Sequence, residues 1–248
     1  MKRRDLILST VGLAGSMFPL LGRSAEPCPP PLVAADGGAA VSTACPTVAG
    51  RTYSTNFPGV ENPISEGGVW TNGGSVGIDW QNVRTTTGLA FASTTASGYD
   101  DCLAHLSGFQ ANHSAQARVH RLAGYVPPST HEVELLLRFQ ISARSARGYE
   151  VNVWFGSGLQ IVRWNGPLSS FTMLNTTGPG TTNVTEGDVI RATIIGNVIY
   201  VYQNGALVAS ASDSTWADGN PGIGFFVRPG TGAVPQNYCW SSFSATNL

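Results

Sequence analysis

The side chains with the most suitable spacing for binding a ligand lie on one short run. In a β-strand, successive side chains point to opposite faces. The run GYEVNVWF at 148–155 therefore places Glu150, Asn152 and Trp154 on one face and apolar residues on the other. An indole offers a flat platform for the C–H face of a sugar ring, and carboxylate and amide groups match its paired hydroxyls. This strand has the side chains expected of a carbohydrate-binding surface.

Further candidates for ligand binding follow this strand. They have planar polar or aromatic side chains: Gln160, Arg163 and Trp164 in LQIVRWNG, and Tyr200 and Tyr202 on a shared face of VIYVYQNGALVA. An alternative interpretation gives the same side chains a packing role. In that interpretation Trp154 and Trp164 fill the core, and Glu150 pairs with Arg163.

A serine hydrolase is not supported by the sequence. The string GGSVG at 73–77 has the G-x-S-x-G spacing of a nucleophile elbow, but no histidine–acid pair is identifiable to accompany it. Phosphate-binding and dinucleotide-binding glycine motifs and an EF-hand loop are missing. The four histidines are spread over the first half of the chain without an identifiable acid partner, which predicts solvent-facing or structural roles: His105, His113, His120 and His131.

The elements that must position these residues are predicted to be strands. The stretch 188–226 holds four apolar, β-branched runs separated by Gly-Asn, Asn-Gly and Gly-Asn-Pro-Gly. Gly and Asn tolerate positive φ, so each break predicts a tight turn and the runs predict antiparallel hairpins. Turn signals recur along most of the chain, and no stretch keeps helical spacing for three turns. The fold class predicted is an all-β, antiparallel two-sheet sandwich.

Individual strands are predicted wherever short alternating runs occur. Their predicted bounds are 69–72, 88–93, 101–107, 114–121, 132–141, 148–155, 160–164, 171–175, 189–195, 198–203, 206–212, 223–227 and 238–246.

Three segments resemble the concanavalin A-like lectin/glucanase superfamily, in particular its secreted bacterial members. They are FPGVENPISEGGVW at 57–70, which is similar to a first strand and turn, the hairpin at 198–209, and GNPGIGFF at 219–226 with the closing run CWSSFSA at 239–245. The resemblance implies a jelly roll of two curved sheets that binds glycans on its concave sheet. Enzymes and non-catalytic binding proteins share that scaffold, so the fold alone does not assign an activity.

The enzymes of this superfamily provide patterns against which the chain can be compared. Glucanases that resemble it carry E-x-D-x-E on one strand, whereas this chain has Glu132 and Glu134 followed by Leu136. The two glutamates are therefore predicted to be exposed strand carboxylates. Alginate lyases carry R-x-E-L-R and Q-I-H, whereas VELLLRF and QIVRW lack the first Arg and the His. No catalytic residue is assigned, and Glu150 is the candidate if the protein is an enzyme.

Three functions remain open from the sequence. The first is an exported carbohydrate-binding, lectin-like protein, whose partner is a polysaccharide or oligosaccharide. The second is a glycoside hydrolase or polysaccharide lyase that uses Glu150 or a tyrosine as base. The third is a structural cell-surface protein. No cofactor is indicated apart from the structural calcium that the resemblance implies, for which Asn56, Glu61 and Asn62 are the candidate ligands.

The N-terminus and the charge predict an exported protein without a nucleic-acid partner. Basic residues and an apolar run make 1–25 a secretory signal, and Arg3-Arg4 also fits twin-arginine export. A Pro-, Ala- and Gly-rich extension at 26–50 precedes the sandwich domain at 51–248. A net charge of −1 gives no electrostatic case for nucleic acid. A secreted or periplasmic location follows, with no stable membrane span after removal of the signal.

The four cysteines are predicted to form disulfides, because an even count is typical of an exported chain. Four cysteines allow three pairings. The favoured one joins Cys28 to Cys45 within the N-terminal extension and Cys102 to Cys239 between an early and the last strand.

Overall fold

The computed structural model describes residues 50–248, apart from 77–78, 95–99, 156–157 and 178–182. Residues Gly50–Leu248 form one compact unit. The predicted signal at 1–25, nearly all of the extension, and both Cys28 and Cys45 lie outside the described residues. Among those that are described, no helix has the length and apolar character needed to cross a membrane.

Two antiparallel sheets form a sandwich, which confirms the predicted fold class. The eight-stranded sheet contains β1 (Thr52–Thr55), β3 (Val83–Thr86), β4 (Leu89–Ala92), β6 (His113–Arg121), β11 (Val189–Ile195), β12 (Val198–Gln203), β13 (Ala206–Ser212) and β15 (Tyr238–Asn247). The seven-stranded sheet contains β2 (Thr71–Asn72), β5 (Asp100–His105), β7 (His131–Ser142), β8 (Ser145–Trp154), β9 (Gly158–Gly166), β10 (Phe171–Thr177) and β14 (Asn220–Val227). A four-residue helix α1 (Gly73–Val76) and a 3₁₀ turn (Pro235–Asn237) complete the described elements.

The strand order places the middle of the chain at the centre of the seven-stranded sheet. That order is β10-β9-β8-β7-β14-β5-β2, so four consecutive strands form a meander and β14 lies between β7 and β5. The eight-stranded sheet runs β13-β12-β11-β6-β15-β4-β3, and β1 pairs with β15.

Two of the three turns predicted in 188–226 are hairpins. At the β12–β13 turn, Asn204 and Gly205 have φ of 51° and 85°, as a type I′ turn requires. At the β11–β12 turn, Gly196 has φ of 58° and Asn197 has no positive φ, as in a type II′ turn.

The third predicted turn is wrong. Residues 220–222 lie inside β14. Because β13 belongs to the eight-stranded sheet and β14 to the seven-stranded sheet, the two strands do not form a hairpin. The glycines there allow backbones to approach closely: a Cβ on Gly219 would lie 2.2 Å from the Arg138 carbonyl, and one on Gly222 would lie 2.3 Å from the Ala104 oxygen. Pro221 stands where the β14–β7 register shifts, an irregularity at which a strand accepts proline.

The core between the sheets is built from alternate residues of each strand. Tyr149, Val151 and Val153 of β8 face the other sheet and are fully buried, together with Ile190 and Ile199 from that sheet. Burial of each such aliphatic side chain contributes about 1.5–3 kcal/mol relative to exposure.

The opposite face of the seven-stranded sheet, here called the outer face, is also buried. Its apolar cluster consists of Trp80, Leu103, Leu136, Phe139, Ala146 and Trp164. The seven-stranded sheet therefore has apolar side chains on both faces.

The start of the domain differs from the prediction. The short strands β1 and β3 were not predicted, and the segment 57–70, expected to be the first strand and turn, forms bends and turns. Phe57, Ile64 and Trp70 of this segment are buried in the core between the sheets. Their packing, rather than strand pairing, fixes the segment in place.

The predicted bond between Cys102 and Cys239 is not present. Both residues are buried thiols on strands of different sheets, β5 and β15. Each sulfur lies against a nearby main-chain carbonyl instead: Cys102 Sγ is 3.1 Å from the Ser93 oxygen, and Cys239 Sγ is 3.3 Å from the Gln236 oxygen. The predicted Cys28–Cys45 bond falls outside the described residues.

Candidate functional site

The candidate site lies on the outer face of the seven-stranded sheet, where β7 and β8 run side by side. The strand pairing places Glu132 opposite Trp154, and Glu134 opposite Asn152. The next position along the same face pairs Leu136 with Glu150. Directly opposed side chains have Cβ atoms about 4.5–5.5 Å apart, so these pairs form a continuous patch.

A third carboxylate reaches this patch from β5. Gly224 of β14 pairs with Glu134 on one side, and the next outer-face position of β14 pairs with Asp101. A Cβ on Gly224 would lie 2.4 Å from Glu134 Oε2, so only glycine leaves that space open. Asp101, Glu134 and Glu150 each place one carboxylate oxygen within 4.8 Å of the others, and all three side chains are buried.

Glu150 is held by two hydrogen bonds. Asn152 Nδ2 donates to its Oε1 at 2.8 Å, and Trp164 Nε1 donates to its Oε2 at 2.6 Å. Both carboxyl oxygens of Glu150 thus act as acceptors.

Two amide oxygens beside these carboxylates make no hydrogen bond. Asn152 Oδ1 and Gln160 Oε1 are buried without a partner among the described residues. The two residues are also register partners across β8 and β9. A buried acceptor without a partner costs about 1–3 kcal/mol, so these oxygens mark a place where a donor or a cation would stabilise the protein.

The two tryptophans belong to the outer face and not to the core between the sheets. Trp164 is fully buried and meets Trp80 edge-on, with ring centroids 5.7 Å apart. Trp154 keeps 8% of its surface exposed. The structure thus brings together five of the predicted ligand-binding residues: Glu150, Asn152, Trp154, Gln160 and Trp164.

Arg163 does not join this site. It points to the other face of β9 and forms an ion pair with Asp213, with Nη1 and Oδ2 2.5 Å apart. Its other donors reach Asn165, Thr172 and Thr215, so the guanidinium ties β9 to neighbouring segments. Glu150 and Arg163 form no ion pair with each other among the contacts described.

Tyr200 and Tyr202 also lie elsewhere. Both are on β12, in the eight-stranded sheet, and both are half-buried on its outward side. The Arg191 guanidinium stacks over the Tyr202 ring at 4.2 Å. These tyrosines and Glu150 therefore belong to different sheets of the sandwich.

The prediction that Glu132 and Glu134 are exposed is wrong, because both have 0% exposure. Together with Asp101 they are the site residues that were not predicted. The sequence does indicate this burial. In EVELLL, at 132–137, apolar residues occupy both odd-numbered and even-numbered positions, which is typical of a strand buried on both faces.

Three of the four histidines are buried. Burial lowers the pKa of His113 and of His131 to about 4, and lowers the pKa of His105 as well. His105 lies at the edge of the outer face, where its Nδ1 is 2.5 Å from the Leu106 carbonyl. These neutral rings support the predicted structural role.

The residues predicted to bind calcium have other contacts. Glu61 Oε2 accepts the main-chain N–H groups of Ser65 at 2.7 Å and Glu66 at 2.9 Å, which closes a turn. Asn62 Oδ1 lies 3.4 Å from Ser93 Oγ. Asn56 borders a surface pocket with Arg118. A calcium ion at this position stays a prediction.

Comparison with known proteins gives a likeness of fold. No family model matches the chain, and no curated protein matches it. A solved structure described as a native glycosidic hydrolase has a TM-score of 0.50 and 11% identity, covering 78% of this chain and 94% of that one. The carbohydrate-binding module CBM66 from Bacillus subtilis has a TM-score of 0.49 and 14% identity, covering 74% and 95%. The β-glucanase of Bacillus licheniformis has a TM-score of 0.49 and 11% identity, covering 79% and 95%.

Proposed function

Because the chain has the concanavalin A-like jelly roll, we propose that it is an exported protein that binds a glycan on the outer face of its seven-stranded sheet. The observation that carries this proposal is the patch of paired acceptors and indoles on β7, β8 and β9. In this patch, Glu132 stands opposite Trp154 and Glu134 opposite Asn152, and Gln160 extends the second row.

The chemistry of the patch suits hydroxyl groups. Asn152 Oδ1 and Gln160 Oε1 are buried acceptors without a partner among the described residues, and a sugar hydroxyl would satisfy each. Trp154 supplies an apolar ring beside them, at the end of the same strand. Few proteins leave two neighbouring amide oxygens unsatisfied, and a polyol is a ligand that removes both deficits.

The charge of the patch favours neutral glycans. Asp101, Glu132, Glu134 and Glu150 all lie on this face, and Arg163 points away from it. A uronate carboxylate would be repelled there, since like charges at contact distance disfavour binding. The same argument makes a lyase acting on uronates the least favoured enzyme.

The burial of the patch sets a condition for binding. Trp154 is only 8% exposed and Trp164 is fully buried, so a sugar contacts these rings only after the outer face opens. A structural surface protein would have a buried face as well. Glycan binding and purely structural packing are distinguished by titration, because only the first predicts a saturable change in tryptophan fluorescence.

Isothermal titration against a panel of neutral and acidic polysaccharides tests the proposal. Wild type should bind a neutral polysaccharide of the panel. Trp154→Ala should weaken that binding about fivefold, since an aromatic platform contributes roughly 1 kcal/mol beyond its buried area. Tyr200→Ala is the matched control, because it removes an aromatic ring from the opposite sheet. Loss of binding in the control alone, or no binding to any glycan, contradicts the proposal.

A second candidate function, glycoside hydrolysis, is favoured by one observation. Glu134 and Glu150 have oxygens within 4.8 Å, close to the roughly 5–5.5 Å that separates the carboxyl groups of retaining enzymes. On β7, Glu132 and Glu134 are followed by Leu136 where the glucanase pattern has its third carboxylate. Glu150 of the neighbouring strand β8 stands opposite Leu136 and supplies a carboxylate there. This candidate predicts new reducing ends that Glu150→Gln abolishes while the fold and the binding isotherm persist. Binding without reducing ends leaves the glycan-binding function alone.

A further inference from the structure

We propose that Asp101, Glu134, Glu150 and Asn152 form a calcium-binding site on the outer face of the seven-stranded sheet. This site shares Asn152, Glu134 and Glu150 with the patch proposed to bind a glycan, and it is tested without any glycan present. It concerns a position in the fold different from the turn that contains Glu61.

The carboxylates converge from three strands onto one small space. Asp101 comes from β5, Glu134 from β7 and Glu150 from β8, and the missing side chain at Gly224 leaves the space that the Glu134 carboxylate occupies. Three buried carboxyl groups this close must either share protons or hold a countercharge, because the low dielectric of the interior amplifies repulsion between their charged forms. A cation among them would supply that countercharge.

An independent feature points to a cation at the same place. Asn152 is opposite Glu134 in register and donates its Nδ2 to Glu150, so its amide group lies between two of the carboxylates. This orientation leaves Oδ1 as an acceptor, and it is fully buried without a hydrogen-bond partner among the described residues. Calcium readily takes an amide oxygen as a ligand. An ionised carboxylate has no hydrogen to donate, so it cannot form a hydrogen bond to Asn152 Oδ1.

The ligand set selects the class of ion. All four donors are oxygens, which favours hard cations over zinc or copper. Two oxygens on opposite sides of an ion lie about twice the metal–oxygen distance apart, or about 4.6–5.2 Å for Ca²⁺ and about 4.0–4.2 Å for Mg²⁺. The three carboxylate oxygens lie within 4.8 Å of one another, a limit that admits either ion. The preference for Ca²⁺ follows from burial, because Mg²⁺ usually keeps several waters and these side chains are fully buried.

Calcium titration of the full chain tests the site. The protein is stripped with EDTA, dialysed, and titrated calorimetrically with CaCl₂ without any glycan present, and MgCl₂ is run in parallel. We expect one Ca²⁺ to bind more tightly than Mg²⁺ and to raise the melting temperature. Glu134→Gln and Asp101→Asn should each weaken Ca²⁺ binding at least about tenfold, since each removes a charged ligand.

Glu61→Gln is the matched control. It makes the same chemical change at the turn for which calcium is predicted from the sequence, and it should leave this binding unchanged. Asn152→Ala keeps every carboxylate and should weaken binding several-fold, so it tests the site even if a carboxylate variant fails to fold.

Three results overturn the proposal. They are no Ca²⁺ binding by folded wild type, loss of binding in Glu61→Gln with retention in Glu134→Gln, and wild-type affinity in a folded Asn152→Ala protein. Each of these results leaves the glycan proposal standing, because the polysaccharide titration is measured separately.

Discussion

Replacing Trp164 by Phe should destabilise the protein more than the same change at a second buried tryptophan. Trp164 Nε1 donates to a carboxylate, Glu150 Oε2, at 2.6 Å. Trp240 is equally buried, but its Nε1 donates to a main-chain carbonyl, that of Glu134, at 3.1 Å. The two substitutions delete the same atoms, so their cavity costs are similar and the acceptor is the main difference between them.

The expected difference follows from the acceptors. A hydrogen bond to a charged group contributes about 1.5–3 kcal/mol, and one between neutral groups about 0.5–1.5 kcal/mol. Trp164→Phe should therefore lower the free energy of unfolding by about 1–2 kcal/mol more than Trp240→Phe. Urea unfolding followed by far-UV circular dichroism measures this as a lower midpoint at a common slope.

The double variant tests the cause directly. If Glu150 is the charged acceptor, Trp164→Phe should cost less in a Glu150→Gln background than in wild type, with a coupling energy of about 1 kcal/mol. Equal losses for the two tryptophan variants, or no coupling in the cycle, would refute the assignment of a charged carboxylate at the centre of the outer face. All samples contain EDTA, so that a bound cation does not contribute.

Further predictions concern the scaffold. Gly222→Ala should cost about 3 kcal/mol or more in urea unfolding, because its Cβ would meet a main-chain oxygen at 2.3 Å, whereas Gly59→Ala, with nothing nearer than 3.6 Å, should change stability by less than about 1 kcal/mol. The pKa of His113 and of His131 is lowered by burial from 6.5 to about 4, so the unfolded chain binds more protons in that interval. Stability is therefore complete above about pH 6.5 and should fall as the pH decreases towards 4, which urea midpoints across this range would show. Burial raises the pKa of the Cys239 thiol, so iodoacetamide should modify it only after unfolding, as mass spectrometry of native and urea-treated protein would detect.

Local alternation and turn chemistry predicted most of the strands. The run at 132–141 became part of β7 because Val133, Leu135 and Leu137 recur at alternate positions, and all ten of its residues are buried or half-buried. The Asn-Gly pair at 204–205 formed the hairpin that its φ preferences require. Both signals depend on interactions between near neighbours in sequence.

Long-range packing decided the features that were predicted incorrectly. The sequence predicts a turn at 219–222, but Gly219 and Gly222 instead allow a close approach to β7 and β5 that no local pattern encodes. Arg163 was predicted to bind the ligand together with Trp164 because its side chain is planar and polar, yet adjacent residues of a strand face opposite sides.

The site itself was predicted in part. The alternation of side chains along β8 was sufficient to predict that Glu150, Asn152 and Trp154 share one face, and the structure confirms this. Asp101 could not be associated with them, because its proximity depends on the insertion of β14 between β5 and β7. Only the sheet order brings that carboxylate to the others.

The position of β14 also has a consequence for the order of folding. The meander β7–β10 pairs strands that are adjacent in the chain, so it can form early with a small loss of loop entropy. β14 is made much later and must insert between β7 and β5 before the carboxylates of these strands meet. The acidic side chains of β5, β7 and β8 therefore come together only when β14 pairs with both β5 and β7. If a cation binds among them, completion of this sheet depends on the ionic composition of the compartment in which the chain folds.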